Sequence, residues 1–546
     1  MNAEPGRMVG LVRTADVVAA ALAAQGVRHA FGMPGGEVVE ILDALGRVGI
    51  AFTLARHETA AAAMAAGSWL ATGRPPLLLT TIGPGLANAI DGIADASQER
   101  VPLIVLSGVV DRALRGRFTH QVVDHAAMLR PFVKASFEID AAAPGATVAR
   151  AIGLATAGLC GPVHLDLAPG VAAAAAGDTA VPGPVLVKRP VPSPRDPAIE
   201  ALAARLANSR RPLILAGFTA ARCPRSTGIV RLAERLGAPV VTTYKAKGVI
   251  REDHPLALGG AGLSPAADHI LQGAVRQSDL VLTFGYDPIE MRAGWLDVPG
   301  LQDQVVDITP VPIDHGMYFP SLRIEAECGA TAFALAEALD SHEGWPPSVV
   351  ASIRTALAER FASPPGFGPH AIIDALQAHV GPEDLVTVDS GAHRILLSQK
   401  WVARRPLSLV QSAGFCTMAT ALPTAIGAKI AVPGRRVVAV LGDGGLEMGL
   451  GELATLRDSG LQVTVVVFQD QSLALIELKQ AAARLPRAGV TLGETDFARI
   501  AEAFGGHGVN VETLPDLERE FVAAASRPVF SLIACRFSSH EYDGAF

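Results

Sequence analysis

The sequence has few of the features that mark disulfide-rich, membrane-spanning or nucleic-acid-binding proteins. Its five cysteines among 546 residues are far apart and never form a Cys-x-x-Cys pair, which predicts neither a disulfide framework nor a structural metal site. Apolar runs stay well short of the ~20 residues that a membrane span requires. The formal net charge is -7, and Lys and Arg are interspersed with Asp and Glu, so no basic stripe indicates a nucleic acid. A small-molecule partner remains as the prediction.

Aromatic residues are also scarce, at 5% of the chain, whereas 50% of the residues are apolar and Gly and Pro are abundant. This composition is typical of a globular protein that packs through small side chains. The N-terminal stretch lacks the uncharged apolar core of a signal peptide, because Arg13, Asp16 and Gln25 interrupt it; it predicts an amphipathic helix of a cytoplasmic protein. At roughly 150 residues per domain the length predicts three or four domains, and we expect three.

Short Val-, Leu- and Ile-rich runs bounded by Gly or Pro alternate with helical patterns along most of the chain, as in "PPLLLTTIGPG", "RPLILAG" and "RRVVAVLGDGG". Such runs suit strands buried on both faces of parallel sheets, which predicts an α/β fold. The polar C-terminal stretch "FSSHEYDGAF" predicts an exposed tail that includes Tyr542. Two Pro-rich stretches, residues 177–197 and 341–369, predict linkers. They delimit three predicted domains, residues 1–176, 190–342 and 365–546.

Glycines and acids follow two strands of the last predicted domain. Ligands of open parallel sheets bind beyond the carboxyl ends of the strands, where glycines let the backbone approach an anion. Asp443 can hold a divalent cation there, and Mg²⁺ favours one or two carboxylates with phosphate and water oxygens. Asp470 is the candidate second ligand, and the main-chain carbonyl of Ser472 is the third. The glycines of this cradle are Gly442, Gly444 and Gly445. For Gly-Asp-Gly alone, a turn with Asp443 as helix N-cap stays an open alternative.

The whole pattern, Gly-Asp-Gly, a helix, a buried strand and a paired amide or acid, resembles the motif of thiamine-diphosphate-dependent enzymes. The second half of that motif is usually Asn-Asn, and this chain has Gln469 and Asp470 instead, which is similar to catabolic acetolactate synthases in its second position. The resemblance implies three doubly wound parallel-sheet domains: pyrimidine-binding, central and diphosphate-binding. It also implies thiamine diphosphate and Mg²⁺ as cofactors, with Asp443, Asp470 and Ser472 as metal ligands.

Thiamine diphosphate needs a carboxylate beside its aminopyrimidine ring, because a hydrogen bond from a buried acid favours the form that takes the proton from thiazolium C2. The stretch "TLARHETAAAAMAAGSWLATGRPPLLLTTIGPGLAN", residues 53–88, resembles the pyrimidine-binding domain of acetolactate synthase-like enzymes. This implies that Glu58 is the activating glutamate, whereas Glu58 alone would be a first-turn acid interacting with its helix dipole. The resemblance also implies residues that line the site: Gly83, Pro84, Gly85 and Asn88, and Gly36 from "FGMPGG".

Three further segments are similar to the same family. "TVDSGAHRILLSQKW" resembles its diphosphate-contacting turn, "SAGFCTMATALPTAIGAKIA" the segment whose methionine supports the cofactor, and "THQVVDHAAMLRPFVKASFEI" its substrate-facing segment. The implied contacts are Gly391, Ala392 and His393 at the phosphates, Met418 between the cofactor rings and Gln121 at the substrate. Without the resemblance, His393 would be a surface histidine, Met418 core filler and Gln121 part of a solvated loop.

Four positions depart from the family pattern. Ala392 replaces a polar residue, Cys416 and Ala419 stand where glycines are common, and Gln469 is unusual. Cys416 and Ala419 predict an altered backbone approach, and Ala392 removes one possible hydrogen bond. All four departures motivate an alternative of another class, a catalytically silent paralogue that acts as a binding subunit. Retention of Glu58 and Asp443 argues against that alternative, because these residues are needed for chemistry more than for folding.

The resemblance implies a 2-oxo acid decarboxylating carboligase of the acetolactate synthase type, with pyruvate as donor and a second 2-oxo acid or an aldehyde as acceptor. The alternative is a simple decarboxylase, or another thiamine-diphosphate-dependent lyase or carboligase; pyruvate-type decarboxylases usually carry adjacent histidines, and here His120 and His125 are separated. "DLVLTFGYDPIEMR" is similar to the branch without FAD, so FAD is an alternative cofactor that we do not favour. The family's cofactor bridges subunits, which implies a homodimer with sites at the interface and leaves a tetramer open.

Overall fold

A computed structural model describes residues 12–184, 191–296, 298, 304–313, 315–340 and 342–546 of the chain. The chain divides into two compact units, one with residues 1–186 and 430–432 and the other with residues 187–429 and 433–546. The first unit contains one six-stranded sheet, and the second contains two. Neighbouring strands are parallel throughout these sheets, which confirms the predicted α/β class with three doubly wound parallel sheets.

The first sheet has the strand order β2-β1-β3-β4-β6-β5. Its strands are β1 (His29–Met33), β2 (Ala51–Leu54), β3 (Leu77–Thr80), β4 (Ile104–Gly108), β5 (Ser136–Glu138) and β6 (Val163–Leu167). Its helices are α1 (Thr14–Ala24), α2 (Val39–Arg47), α3 (Glu58–Thr72), α4 (Pro84–Asn88), α5 (Ile90–Gln98), α6 (His125–Leu129), α7 (Pro144–Thr156) and α8 (Pro169–Ala173). A 3₁₀ turn occupies Gly36–Val38. α1 lies within the stretch that the sequence predicts as an amphipathic helix.

The central sheet has the order β12-β11-β10-β7-β8-β9, which is the strand order of the dinucleotide-binding Rossmann fold. Its strands are β7 (Pro212–Ala216), β8 (Val240–Thr243), β9 (Ala257–Ala261), β10 (Leu280–Phe284), β11 (Val305–Thr309) and β12 (Leu322–Glu325). The helices of this region are α9 (Pro197–Ala207), α10 (Phe218–Ala221), α11 (Thr227–Leu236), α12 (Pro265–Gln277), α13 (Cys328–Ala338) and α14 (Pro347–Arg360). Short 3₁₀ turns occupy Tyr244–Ala246, Pro288–Glu290 and Ala293–Trp295.

The third sheet has the order β14-β13-β15-β16-β18-β17, which repeats the topology of the first sheet. Its strands are β13 (Leu385–Val388), β14 (Leu409–Gln411), β15 (Val437–Gly442), β16 (Thr464–Gln469), β17 (His507–Val511) and β18 (Ser531–Arg536). Its helices are α15 (Pro369–Ala378), α16 (Ala392–Lys400), α17 (Ala421–Ala431), α18 (Asp443–Met448), α19 (Glu452–Asp458), α20 (Ala474–Ala482), α21 (Phe497–Ala503) and α22 (Leu514–Ala524). A last 3₁₀ turn occupies Ser539–Tyr542.

The central strands explain why the apolar runs of the sequence are uninterrupted. In β10, Leu282 and Phe284 pack into the core on one face of the sheet, and Val281 packs into the core on the other face. Because successive side chains of a strand point to opposite faces, a strand covered on both sides must be apolar at every position. Each fully buried Val, Leu or Phe side chain contributes roughly 1.5–3 kcal/mol to the stability of the folded state.

Two sequence predictions need correction. Tyr542 is 1% exposed instead of lying on an exposed tail, because it packs with Phe537 and with Ala392 and Ala474; its neighbours His540 and Glu541 are exposed as expected. The predicted linker between residues 341 and 369 contains the helix α14. Its first residue, Pro347, is tolerated because the first turn of a helix does not need the N–H that proline lacks.

The domain boundaries stay a prediction, and residues 1–11, 185–190, 297, 299–303, 314 and 341 of the predicted domains and linkers lie outside the described residues. Within the part of the chain that the structure describes, no helix combines the length and the apolar character that crossing a membrane takes.

Candidate active site

Three parallel strands of the third sheet bring acids together at one edge. β13, β15 and β16 are neighbours, and their carboxyl ends lead into Asp389, Asp443 and Asp470, respectively. This edge is where open parallel sheets bind ligands. Asp443 is the first residue of α18, and Gly442 is the N-cap, so the alternative that Asp443 caps the helix is wrong.

Backbone hydrogen bonds fix the two predicted metal ligands. Asp443 Oδ1 accepts the Gly444 N–H at 2.8 Å, and Asp443 Oδ2 accepts the Gln471 N–H at 2.7 Å. Asp470 Oδ1 accepts the Ser472 N–H at 2.9 Å. Asp443 therefore joins the turn after β15 to the turn after β16, and both carboxylates are held by the chain before any ligand arrives.

The charges of these two acids suit a divalent cation. Burial raises the pKa of Asp443. Burial also raises the pKa of Asp470 to about 8, and the nearby Asp443 carboxylate adds to that rise. A divalent cation between the two acids would offset both the burial and the repulsion, and hard oxygen ligands are those that Mg²⁺ prefers. The donor set of Asp443, Asp470 and the buried Ser472 thus fits Mg²⁺.

Glycines leave room at the same edge. A Cβ at position 445 would lie 2.2 Å from Asp389 Oδ2, and a Cβ at position 391 would lie 2.7 Å from the His393 ring. A Cβ at position 444 would lie 3.2 Å from Leu492, so that position is also tight. Only glycine fits at 391 and 445 without movement of a neighbour, and the exposed backbone permits the close approach that a diphosphate requires.

His393 is buried beside this cradle, which corrects the alternative of a surface histidine. Burial lowers the pKa of His393 to about 3, so the imidazole is neutral at physiological pH. Among the described residues, its Nε2 has no hydrogen-bond partner. A buried polar atom without a partner normally marks a contact to water or a ligand. When Nε2 carries the proton, it can donate a hydrogen bond to a phosphate oxygen.

Cys416 and Ala419 keep the backbone that glycines would give. Their φ angles are 60° and 63°, in the left-handed region, at a cost of roughly 1–2 kcal/mol each. Asp389 stabilises this turn, because its two carboxylate oxygens accept the N–H groups of Ala419 at 2.8 Å and Thr420 at 3.2 Å. The two non-glycine residues therefore adopt the conformation that glycine favours, and an altered backbone approach to the cofactor stays a prediction.

One cavity of about 310 Å³ in the second unit unites this half-site. All ten residues that the sequence assigns to the diphosphate half line it: Gly391, Ala392, His393, Met418, Gly442, Asp443, Gly444, Gly445, Asp470 and Ser472. Arg292 and Arg394 line it as well and were missed by the sequence analysis. The available signal was their position directly after the motifs "GYDPIEM" and "SGAH". Gln469 stands outside the cavity lining, and its Nε2 donates to Thr495 O at 2.8 Å.

The first unit holds Glu58 at the start of α3. His57 is the N-cap of this helix, and its ring nitrogen accepts the Thr59 N–H at 3.2 Å. Glu58 is 4% exposed, and its Oε2 accepts a hydrogen bond from Asn88 Nδ2 at 3.2 Å. Thr59 Oγ1 donates to Asn88 O at 2.6 Å. Asn88 is therefore tied to two residues of α3, and the Glu58 carboxyl group is buried and oriented.

The other predicted residues of this half-site lie in the turns after β1 and β3. Gly83 precedes α4, which begins with Pro84, and a Cβ at position 85 would lie 3.3 Å from Glu58 Oε1. Gly36 starts the 3₁₀ turn after β1, and the next residue, Glu37, accepts a hydrogen bond from Thr81 at 2.7 Å. The structure thus brings both turns to the carboxyl edge of the first sheet, where Glu58 also lies.

Gln121 lies beside the Gly83 turn. It is exposed, with a φ of 57°, and its carbonyl oxygen is 2.8 Å from the place of a Cβ at position 83. A cavity of about 470 Å³ in the first unit is lined by Gln121, His125 and Asp166 among others. The cluster of His125 with His164 and Asp166 was not predicted, although the His-x-Asp spacing in the strand "VHLDL" was a signal for two polar side chains on one face.

Comparisons with known proteins agree with these two half-sites. Models described as thiamine pyrophosphate enzyme match as N-terminal TPP binding domain over residues 12–128, as central domain over 199–335 and as C-terminal TPP binding domain over 389–535. The acetolactate synthase of Bacillus subtilis (strain 168) is 31% identical over 522 residues, which cover 92% of this chain and 89% of that protein. The catabolic acetolactate synthase of Raoultella terrigena is 30% identical over 525 residues, 93% and 92% of the two chains.

The matched models place a thiamine-pyrophosphate-binding domain on each of the two sheets that carry a half-site. The relatives extend over nearly the full chain and include the catabolic branch that the sequence resembles. Together with the buried Glu58 and the Asp443–Asp470 pair, these matches decide the family. The chain belongs to the thiamine pyrophosphate enzymes and is a thiamine-diphosphate-dependent enzyme of the acetolactate synthase type.

Proposed function

We propose that this enzyme decarboxylates pyruvate and joins the remaining acyl unit to a second 2-oxo acid or an aldehyde, with thiamine diphosphate and Mg²⁺ as cofactors. The observation that carries the proposal is the division of acids between two half-sites: one oriented Glu58 in the first unit, and the pair Asp443 and Asp470 in the second. The names of the acetolactate synthase relatives support the same reaction class.

When bound, thiamine diphosphate supplies a nucleophilic carbon and an electron sink for the loss of CO₂. Glu58 would hold a proton toward the aminopyrimidine: Asn88 engages Oε2, so Oε1 is the oxygen free of that contact. Asp443 and Asp470 would hold Mg²⁺ together with the Ser472 carbonyl, and His393 would donate from Nε2 to a phosphate oxygen. The protein's share is thus orientation and electrostatics, without a nucleophilic side chain of its own.

Arg292 supports a 2-oxo acid as the acceptor. It is exposed at the wall of the diphosphate cavity, and a guanidinium group can hold a carboxylate through two parallel N–H donors. An aldehyde acceptor offers no such carboxylate. Arg292→Ala should therefore raise KM for 2-oxo acid acceptors by about 10-fold or more and leave an aldehyde acceptor nearly unaffected, since a charge-assisted hydrogen bond contributes roughly 1.5–3 kcal/mol.

The deciding experiment incubates the protein with thiamine diphosphate, Mg²⁺ and pyruvate, and follows CO₂ and products together by NMR. Acetolactate with CO₂ supports the carboligase, and acetaldehyde with CO₂ replaces it by the simple decarboxylase. Cofactor binding without CO₂ directs the search to another donor. Failure to bind the cofactor leaves the silent paralogue. The separation of His120, which is exposed, from the buried His125 favours carboligation, because no adjacent histidine pair faces a cavity among the described residues.

The central sheet supports an enzyme that works without FAD. At its topological switch point, between β7 and β10, the Phe218 N–H donates to the Glu290 carboxyl group at 3.1 Å, although this turn is where a Rossmann fold binds a dinucleotide phosphate. Glu290 is 4% exposed, and burial raises its pKa to about 8. A carboxyl group of the chain thus occupies the hydrogen-bonding position. We expect the purified protein to show no flavin absorbance, and a flavin spectrum would contradict this.

We infer that the functional form is a homodimer in which each site takes Glu58 from one subunit and the metal half from the other. Co-expression of Glu58→Gln with Asp443→Asn tests this, because a mixed dimer then has one intact and one doubly altered site. Activity should return to about a quarter of the wild-type level, since half of the dimers are mixed and have one working site of two. Sites built within one chain would give no recovery. Light scattering after size exclusion separates dimer from tetramer.

A further inference from the structure

A polar cluster that the cofactor half-sites do not use lies in the first unit: His125, His164 and Asp166. His164 and Asp166 lie on β6 two residues apart, so they share one face of the strand. His125 is the first residue of α6. Their ligand-type atoms lie within 4.8 Å of one another, and the two histidines are 3% and 0% exposed. The cluster is therefore a buried, connected group beside the cavity that Gln121 lines.

Hydrogen bonds define the protonation of His125. Its Nδ1 is 2.7 Å from Asp166 Oδ1, and the Gly83 N–H points to its Nε2 at 3.4 Å. Because a backbone N–H can only donate, Nε2 is the acceptor and Nδ1 carries the proton. Burial alone would raise the pKa of Asp166, but the two imidazoles beside it outweigh burial and lower the pKa to about 2, so Asp166 is an ionised acceptor.

A bound metal ion would need a different arrangement. A histidine that ligates a metal normally donates its other ring N–H to an acceptor, whereas His125 Nε2 faces the Gly83 donor. The 2.7 Å between His125 and Asp166 is the length of a charge-assisted hydrogen bond. Neither ring nitrogen of His164 has a hydrogen-bond partner among the described residues, although Nε2 is 3.3 Å from Asp166. The connected pair is thus Asp166 and His125, with His164 as a neighbour.

The Gly83 turn has little freedom of its own. Its φ of 54° lies in the left-handed region, and a Cβ there would lie 2.8 Å from the Gln121 carbonyl oxygen. Gly83 is the N-cap of α4 and has no side chain to hold the first turn of that helix. The hydrogen bond to His125 is therefore the polar contact that fixes the N–H at the entrance of α4.

α4 carries this constraint to Glu58. The helix spans only Pro84–Asn88, and its last residue, Asn88, donates to Glu58 Oε2 at 3.2 Å. We expect a displacement at Gly83 to shift α4 toward Asn88, because Gly83 O accepts the Ala87 N–H at 2.9 Å and Pro84 restricts the first turn. The Glu58 carboxyl group would then lose its alignment, because Asn88 is the partner of its Oε2.

We propose that the Asp166–His125 pair is a positioning device that sets the Gly83 turn and, through α4, the orientation of Glu58. This inference rests on the proposed function in assigning the essential proton to Glu58. His125 contacts the backbone and a carboxylate of its own chain, so it is a positioning residue and acts through Glu58.

Three variants test the device. His125→Leu removes both hydrogen bonds, and His125→Gln keeps one donor and one acceptor. His164→Leu is the matched control, because it removes the second imidazole beside Asp166 and leaves the two His125 hydrogen bonds in place. In His125→Leu we expect kcat per bound cofactor to fall about 10–100-fold with a smaller change in KM, because misplaced groups cost turnover more than binding. His125→Gln should regain most of kcat, and His164→Leu should keep it.

Proton NMR supplies a readout that does not depend on turnover. The Nδ1–H of His125 bonded to an ionised, buried carboxylate should give a strongly deshielded signal, downfield of the amide protons. We expect it in the wild type and in His164→Leu, and we expect its loss in both His125 variants. An inactive wild type that shows the signal would refute the proposed function and uphold the pair. An active wild type without the signal would refute the pair.

Kinetic outcomes can overturn the proposal as well. Wild-type kcat in His125→Leu would show that Gly83 keeps its place unaided, and a His125→Gln variant as slow as His125→Leu would show that the effect is packing. Metal analysis of the purified protein covers the remaining case. A stoichiometric transition metal that is lost equally in His125→Leu and His164→Leu would assign the cluster to metal binding and refute the positioning role.

Discussion

The first and third sheets share one topology and carry different chemistry. β3 in the first sheet corresponds to β15 in the third, and each is followed by a turn that opens a short helix: Gly83 before α4, and Gly442 before α18. In the first sheet the helix begins with Pro84, which is uncharged, and in the third sheet it begins with Asp443. The same backbone position therefore carries a proline in the first sheet and an acid, the proposed metal ligand, in the third.

The neighbouring strands extend the contrast. β4 is followed by the apolar Val109, whereas its counterpart β16 is followed by Asp470. The acid of the first sheet, Glu58, follows β2, and the counterpart β14 leads into the uncharged Ser412. A single buried acid suits proton transfer, and a buried pair suits a cation. The two sheets share a scaffold, so their functions depend on the loop residues at equivalent strand ends.

Glu58→Gln should have the largest effect, a loss of turnover without a matching loss of cofactor binding. We expect kcat to fall by about 10²–10⁴-fold, the range typical of a lost proton-transfer group, while cofactor affinity stays within a few-fold. Steady-state kinetics and calorimetric titration of thiamine diphosphate would measure the two effects. Full activity in this variant would show that the acid of the first sheet has another role.

Asp470→Ala should weaken metal binding more than it weakens the proton-transfer step. It removes one carboxylate of the pair, so we expect the affinity for Mg²⁺ in the presence of thiamine diphosphate to fall by about 10–100-fold. High Mg²⁺ should restore part of kcat, which it cannot do for Glu58→Gln. Unchanged Mg²⁺ affinity would remove Asp470 from the metal site and weaken the contrast between the sheets.

The pH dependence of Mg²⁺ binding sharpens the comparison further. Because the pKa of Asp470 is raised to about 8, this acid is protonated at pH 7 and must lose its proton before it can bind a cation. Below pH 8 we therefore expect Mg²⁺ affinity to fall by about tenfold per pH unit, with close to one proton released per ion. Calorimetry in buffers of different ionisation enthalpy counts the protons. The dependence should vanish in Asp470→Ala and persist in Glu58→Gln.

A pair of glycine substitutions compares the packing of the two half-sites. In Gly445→Ala the new Cβ would lie 2.2 Å from Asp389 Oδ2, so we expect a loss of about 1–3 kcal/mol in the free energy of unfolding. Gly36→Ala is the matched control, since no atom lies within 4 Å of its Cβ position, and we expect a change within about 0.5 kcal/mol. Urea denaturation measures both, and equal effects would show that the cradle is looser than the distances indicate.

The smallest expected effect is a gain. Ala419 has a φ of 63°, so Ala419→Gly should relieve about 1–2 kcal/mol of strain and lose about 0.5–1 kcal/mol to backbone entropy. The net result is a slight rise in melting temperature. A clear fall would mean that the Ala419 methyl group stabilises the turn through contacts that outweigh the strain.

Much of this arrangement follows from local sequence. Uninterrupted apolar runs predict the buried strands, because parallel sheets cover both faces, and all ten residues assigned to the diphosphate half line one cavity. The roles of those residues stay predictions. Short-range signals suffice here because Gly442–Gly445 and Asp470 are positioned by two adjacent strands whose ends must meet.

Contacts between segments that are distant in the chain could not be predicted from the sequence. The His125–Asp166 bond joins residues 41 positions apart, and the Asp389 contacts to Ala419 and Thr420 span 30 and 31 positions, so neither follows from a local pattern. Tyr542 was misassigned for the same reason, since a polar stretch hides one aromatic that packs against α16 and α20. The position of the exposed Arg292 at the cavity wall depends on the path of the loop after β10, which no periodic sequence pattern predicts.

Glu290 pairs a backbone amide at the edge of the central sheet without a ligand. Its carboxyl group accepts the Phe218 N–H after β7, so this amide is already paired within the chain. Asp443 and Asp470 at the edge of the third sheet are instead buried close together with raised pKa values, which the proposed cation would offset. In the cofactor-free protein we expect the backbone amides of the central sheet to exchange slowly already. We therefore expect binding of thiamine diphosphate and Mg²⁺ to protect the first and third sheets more than the central sheet.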